Sequence, residues 1–175
     1  CTLRVCQGEE TIELRNVMIG EVWIAGGQSN MEFFMRYERH WEQAKKLPHD
    51  AGIRMYTCQR RAFAGQKPFQ SGCGYWFGEE DPAFETFSAI GYWFAREMRA
   101  LLGVPVGILS CNWGGTSASA WVPEAALRTS PLSVYLEDYE NAVQGQTAET
   151  CLRESRRGWA FQEDAAHQAE WSTVM

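Results

Sequence analysis

Apolar and polar residues alternate in two short stretches near the start of the chain, "TLRVC" (Thr2–Cys6) and "TIELR" (Thr11–Arg15), with "QGEE" between them. That period of two predicts a hairpin of half-buried strands over Thr2–Arg15. An isolated hairpin is marginal in water, so partner strands are expected elsewhere, upstream of Cys1. Val22–Ala25, inside "NVMIGEVWIAG", is a short continuous apolar run of the kind that marks a fully buried central strand. After Gly26-Gly27, "NMEFFMRYERHWEQAKKL" spaces Met31, Phe34, Met35 and Trp41 as on a helix that stops before Pro48. Ile53–Cys58 is a second strand, and a polar, aromatic loop with glycines runs from Gln59 to Phe84. Over Phe87–Leu102 the residues Ile90, Phe94, Met98, Leu101 and Leu102 recur at helical intervals, with Gly103 as the stop. Val106–Leu109 is the third strand, entered through Pro105 and leaving into "SCNWGGTSASAW".

Strand, helix, strand, helix, strand in this order predicts an α/β fold with a parallel sheet and helices on its faces. Ligands bind such sheets beyond the carboxyl ends of the strands. The two segments least like ordinary turns, "GGQSN" (Gly26–Asn30) and "NWGGTS" (Asn112–Ser117), each follow a strand directly. They are therefore expected to meet at one edge of the sheet.

Composition narrows the function classes. The 175 residues suit one domain of ordinary size, and 45% apolar with 22% charged residues is a globular balance. A net charge of −6 argues against a nucleic-acid partner, whose phosphates call for lysine and arginine. No apolar run reaches membrane-spanning length, and "CTLRVCQGEE" has no signal-peptide pattern. The six cysteines (Cys1, Cys6, Cys58, Cys73, Cys111, Cys151) and three histidines (His40, His49, His167) show no metal-ligand spacing, so no metal is expected. The cysteines read as reduced, buried thiols, which tilts the compartment toward the cytoplasm without excluding a secreted or periplasmic one.

A serine on a strand-to-helix turn is held exposed, with the unpaired N–H groups of the helix start around it. Such donors stabilise the oxyanion of acyl transfer. Gly26 and Gly27 remove side chains that would block the turn and a bound acyl group, and Gly114 and Gly115 bring further amides close to a substrate oxygen. The plain alternative is that Ser29 caps the following helix.

The longer segments "GEVWIAGGQSNMEF" and "FSAIGYWFAREMRALLGVPVGILSCNWGGTSASAWVPEAAL", in this order, resemble the sialic-acid O-acetylesterase family of carbohydrate esterases, within the SGNH hydrolases. The resemblance covers about Ile19–Phe34 and Phe87–Leu127. It implies a flavodoxin-like three-layer sandwich, and deacetylation of O-acetylated sugars through an acetyl-enzyme without cofactor or metal. It puts the nucleophile on Ser29 and the oxyanion donors on Gly115 and Gly114. Gln28, Asn30, Asn112, Trp113 and Thr116 become candidate substrate contacts. It also implies a later "WYQGES"-like segment and a catalytic Asp…His motif, and neither is plainly present. Asp164 and His167 have D-x-x-H spacing, but "RRGWAFQEDAAHQAEW" reads as a solvated helix. His40 and His49 are expected near the end of the first helix, facing its last carbonyls. The expected organisation is therefore the end of an N-terminal β module over residues 1–18 and the N-terminal portion of an esterase domain over 19–175, in a chain lacking both ends of its parent.

Trp76, Trp113 and Trp121 lie in or beside polar loops, where indoles either stack on sugar rings or pack the loop. Arg60 and Arg61 follow a strand and have the fork geometry to pair with a sugar carboxylate. The competing function class is a non-catalytic glycan-binding or scaffold segment that keeps the serine turn. Sialic acid and acetylated xylan both remain as substrates, and no oligomeric state follows.

Overall fold

The structure, a computed structural model, describes residues 1–60, 73–129, 131–147 and 150. These fall into two compact units, Cys1–Thr116 and the described residues from Ser117 on. The first opens on the expected hairpin: β1 (Leu3–Gln7) and β2 (Glu10–Leu14) pair antiparallel as a two-stranded sheet of their own, with Leu3, Val5, Ile12 and Leu14 exposed rather than half-buried.

The main sheet contains β3 (Glu21–Gly27), β4 (Ile53–Thr57), β5 (Trp76–Phe77) and β6 (Val106–Asn112) in the order β3-β6-β4-β5. β6 runs parallel to both β3 and β4, as the strand-helix alternation predicts, while β5 is antiparallel to β4. The fold is α/β. β5 falls inside the stretch expected to be loop, because two residues are too few to show a period.

The apolar run of β3 is not buried as a central strand among the described residues. Val22, Trp23 and Ile24 are exposed, and β3 lies at the sheet edge. The interior positions belong to β6 and β4; in β6, Val106 and Ile108 are each 1% exposed. They join Ile53, Met55, Phe87, Tyr92 and Met35 in the core. Ile108→Ala is expected to cost about 2–5 kcal/mol of stability, read from denaturant unfolding, because the emptied volume has packed walls that relax only in part.

The expected helix over Phe87–Leu102 is present as α3 (Ala89–Leu102), with Ser88 Oγ accepting from the Gly91 N–H at 3.0 Å as its cap. The face it buries differs from the predicted stripe. Ala89, Gly91, Tyr92 and Ala95 are buried, while Ile90, Phe94, Leu101 and Leu102 are exposed. Small residues let the helix backbone approach β6: a Cβ at Gly91 would stand 3.3 Å from Ile108 Cγ2. Of the stripe, Met98 packs against the core.

The single helix expected after Gly27 is broken. It resolves into α1 (Ser29–Glu32), a 3-10 turn Met35–Tyr37 and α2 (Trp41–Ala44). Tertiary pairing ends α1: Phe33 O accepts from the Ala89 N–H at 2.8 Å, and the Met35 N–H donates to Phe87 O at 2.9 Å. Backbone that bonds sideways to the start of α3 cannot also carry a helical ladder. His40 consequently precedes α2 at its N-cap, with Nδ1 3.0 Å from Glu38 Oε1, rather than facing final carbonyls. His49 is exposed beyond the helix.

The second unit holds a 3-10 turn Ala118–Trp121, α4 (Glu124–Arg128) and α5 (Val134–Val143). Arg128 bridges Glu124 and Glu140 to join the two helices.

Candidate active site

Register brings the two unusual segments together. In the β3/β6 ladder Gly27 lies opposite Asn112, so the chain leaves both strands at the same carboxyl edge. The Trp113 N–H donates to Gly27 O at 3.1 Å, and Asn112 Nδ2 donates to Met31 O at 3.4 Å and Ser110 Oγ at 2.7 Å. Asn112, a candidate substrate contact, thus uses its amide nitrogen to brace the turn. Gly27 has a φ of +151° and a Cβ there would stand 3.2 Å from Met31 Cβ, whereas a Cβ at Gly26 would meet only ordinary contacts. The turn requires glycine at Gly27, not at Gly26.

Ser29 is the first residue of α1 and is exposed. Gln28 holds the N-cap position, and the Ser29 hydroxyl donates to Gln28 Oε1 at 2.8 Å. It caps no backbone amide, so the helix-capping alternative does not describe it. Asn30 is exposed beside it. Across from α1, a Cβ at Gly114 would stand 3.6 Å from Ser29 Cα and 2.6 Å from Glu32 Oε2. A side chain there has room only if the Glu32 carboxylate gives way. Gly115 has a φ of +78° with nothing within 4 Å of a Cβ, so a substituent would strain the backbone rather than fill an acyl site.

Glu32 is the residue that sequence reasoning did not single out. Its Oε2 accepts from the Gly114 N–H and its Oε1 from Arg60 Nη2. Of the two glycine amides expected to face a substrate oxygen, that of Gly114 is thus engaged by a carboxylate. Arg60 Nε reaches Asn112 O at 3.3 Å, and its guanidinium carbon lies 5.7 Å from the Trp113 ring centroid. The Arg60 fork is turned inward to Glu32. The signal for Glu32 was its position three residues after Ser29, which puts both on one helix face. Thr116 Oγ1 donates to Trp113 O at 2.7 Å and closes the glycine turn on itself. Trp76 is exposed and rests against Tyr56, 5.4 Å between centroids. Arg61, Asp164 and His167 lie outside the described residues.

Among the described residues no hydrogen bond joins Ser29 to a histidine, and no group of three metal-ligating side chains occurs. No described helix is long and apolar enough to cross a membrane. Cys1 and Cys6 are exposed, against the expectation of burial. Cys58 and Cys111 are neighbours at the strand ends, and burial, aided by Cys111, pushes the Cys58 thiol up to about 11. Its thiolate is scarce at pH 8, so iodoacetamide followed by mass spectrometry should label exposed Cys6 well before Cys58. Labelling of Cys58 should rise about tenfold per pH unit up to its pKa.

An exposed serine thus stands at the carboxyl edge of an α/β sheet, beside a glycine loop. The chain belongs to the carbohydrate esterase, sialic acid-specific acetylesterase family, whose model matches residues 19–153. It is 26% identical over 133 residues to the sialate O-acetylesterase of Rattus norvegicus and 24% identical over 133 residues to that of Homo sapiens. These alignments cover 67% of the chain, and 23% and 24% of the relatives, so it spans about a quarter of their length. The crystal structure of a carbohydrate acetylesterase from Xanthomonas citri matches with a TM-score of 0.62 and 35% identity, covering 73% of this chain and 29% of that one.

Proposed function

We propose that this chain carries the nucleophile-bearing part of a serine carbohydrate O-acetylesterase. The observation that carries the reading is Ser29 set on the turn after β3 and packed against Gly114 of the loop after β6. Attack by Ser29 Oγ on the acetyl carbonyl forms an acetyl-enzyme and releases the sugar hydroxyl; water then releases acetate. The oxyanion takes its hydrogen bonds from the first amides of α1, which have no intrahelical acceptor, and from Gly115, since the Gly114 amide is held by Glu32. Gln28 and Asn30, exposed on either side of the serine, and Trp113 contact the sugar. The proton acceptor is a histidine oriented by an aspartate, in the Asp…His motif that the family resemblance implies later in the sequence. The substrate is an O-acetylated carbohydrate. We further assign residues 1–18 to a β module preceding the esterase domain, supported by the family match beginning at residue 19.

Fluorophosphonate labelling of the full-length protein tests this. Label on Ser29, suppressed by an O-acetylated sugar, is the expected result. A folded protein that takes no label supports the glycan-binding scaffold instead.

A further inference from the structure

Three loops leave the carboxyl edge of the sheet, after β3, β4 and β6, and one carboxylate ties them together. Glu32, from the first, receives the Gly114 N–H from the third and the Arg60 guanidinium from the second. Arg60 returns to the third loop through Nε, at 3.3 Å from Asn112 O, and lies over Trp113. Both side chains are largely withdrawn from water, 19% exposed for Glu32 and 13% for Arg60. A charged pair so placed has been desolvated, and removing one partner leaves the other uncompensated.

The placement is unusual for chemistry that builds a negative oxygen. Glu32 stands three residues from Ser29 and holds the Gly114 N–H, one residue before the Gly115 amide assigned above to the oxyanion. An unneutralised carboxylate there would oppose the intermediate, since like charges a few ångströms apart repel strongly in a partly dehydrated site. With Arg60 on Oε1 the pair is neutral, and the carboxylate can hold the glycine loop without that penalty. Glu32 also holds the Trp113–Gly114 peptide, the one immediately before the peptide that carries the Gly115 N–H.

The geometry points to Glu32 and Arg60 as positioning residues for the reaction: Glu32 ties the glycine loop to the serine turn, and Arg60 holds Glu32 and cancels its charge beside the developing oxyanion. The inference rests on the acetylesterase reading above. It also restricts Arg60, whose Nη2 and Nε are already committed, as a receptor for a sugar carboxylate.

The test uses the full-length protein with Glu32→Gln, Glu32→Ala, Arg60→Ala, Arg60→Lys and the Arg60→Ala/Glu32→Gln double variant. Hydrogen exchange of the peptide covering Cys111–Thr116 reads the tie without reference to activity. Exchange should quicken about tenfold or more in Glu32→Ala and Arg60→Ala, as expected when a buried hydrogen bond is released. In acetate release, Arg60→Ala should lose about 100-fold in kcat with KM little changed, the size of effect seen when an oxyanion donor is lost. The double variant should recover at least about tenfold of that loss, because it removes the stranded charge. Arg60→Lys should fall between wild type and Arg60→Ala. Unchanged exchange in the single variants overturns the positioning role, and a double variant no faster than Arg60→Ala overturns the charge role. Failure of the esterase reading is distinguishable: wild-type protein would then take no fluorophosphonate and release no acetate, while the exchange measurement would still decide the tie.

Discussion

Ser29→Ala in the full-length protein is expected to lower acetate release by roughly 10⁴-fold or more, to the level left by the remaining binding and oxyanion groups. The reason is that no other side chain on this turn offers a nucleophile: Gln28 and Asn30 flank it with amides. Folding should be almost untouched. Ser29 is exposed and, among the described residues, its hydroxyl bonds only Gln28 Oε1, so the loss belongs with surface substitutions, within about 0.5 kcal/mol. Acetate release on an O-acetylated sugar and a thermal melt check the two halves together. A variant that melts like wild type and still turns over would remove Ser29 from the mechanism.

Gly114→Val is expected to cost about 100-fold in kcat, the scale of a misplacement of about 1 Å at a reacting centre. The cause is steric. A Cβ at Gly114 would stand 2.6 Å from Glu32 Oε2, so the carboxylate must shift, and the two methyls of valine would crowd the turn whose Ser29 Cα lies only 3.6 Å from that Cβ. Glu32 has little freedom to move aside, since Arg60 holds its other oxygen. Stability should fall as well, and the kcat loss should persist at temperatures where the variant is fully folded. Steady-state kinetics alongside circular dichroism separate the two, and a folded Gly114→Val protein with wild-type kcat would refute the packing argument.

The strands were legible because their apolar runs are short and bounded by glycine and proline, and the order in which they alternate with helices has few topological solutions. The helix after Gly27 was misread because the apolar Met31, Phe34, Met35 and Trp41 do not share one helix. Met35 is buried in the core and Met31 and Trp41 pack against the same core, but from separate short turns rather than from one helix face. Spacing alone cannot show that Phe33 and Met35 are bonded sideways to the start of α3. On α3 itself the 3.6-residue period was right and the face was wrong. Its apolar residues run most of the way round, and alanine and glycine won the sheet side because they allow closer approach.

By itself the sequence determined three things: the parallel arrangement of β3, β4 and β6, the helix between β4 and β6 in chain order, and the meeting of "GGQSN" with "NWGGTS". All follow from local patterns and from the rule that strand ends of a parallel sheet share an edge. Only the tertiary structure decided what happens at that edge. Glu32, Arg60 and Gly114 are separated in the sequence by 28 residues between the first two and 82 between Glu32 and Gly114. No periodicity links positions so far apart. Their contact exists because register sets Gly27 against Asn112 and Thr57 against Ser110. That register brings three loops within reach of one carboxylate, whose two oxygens take an amide and a guanidinium as partners.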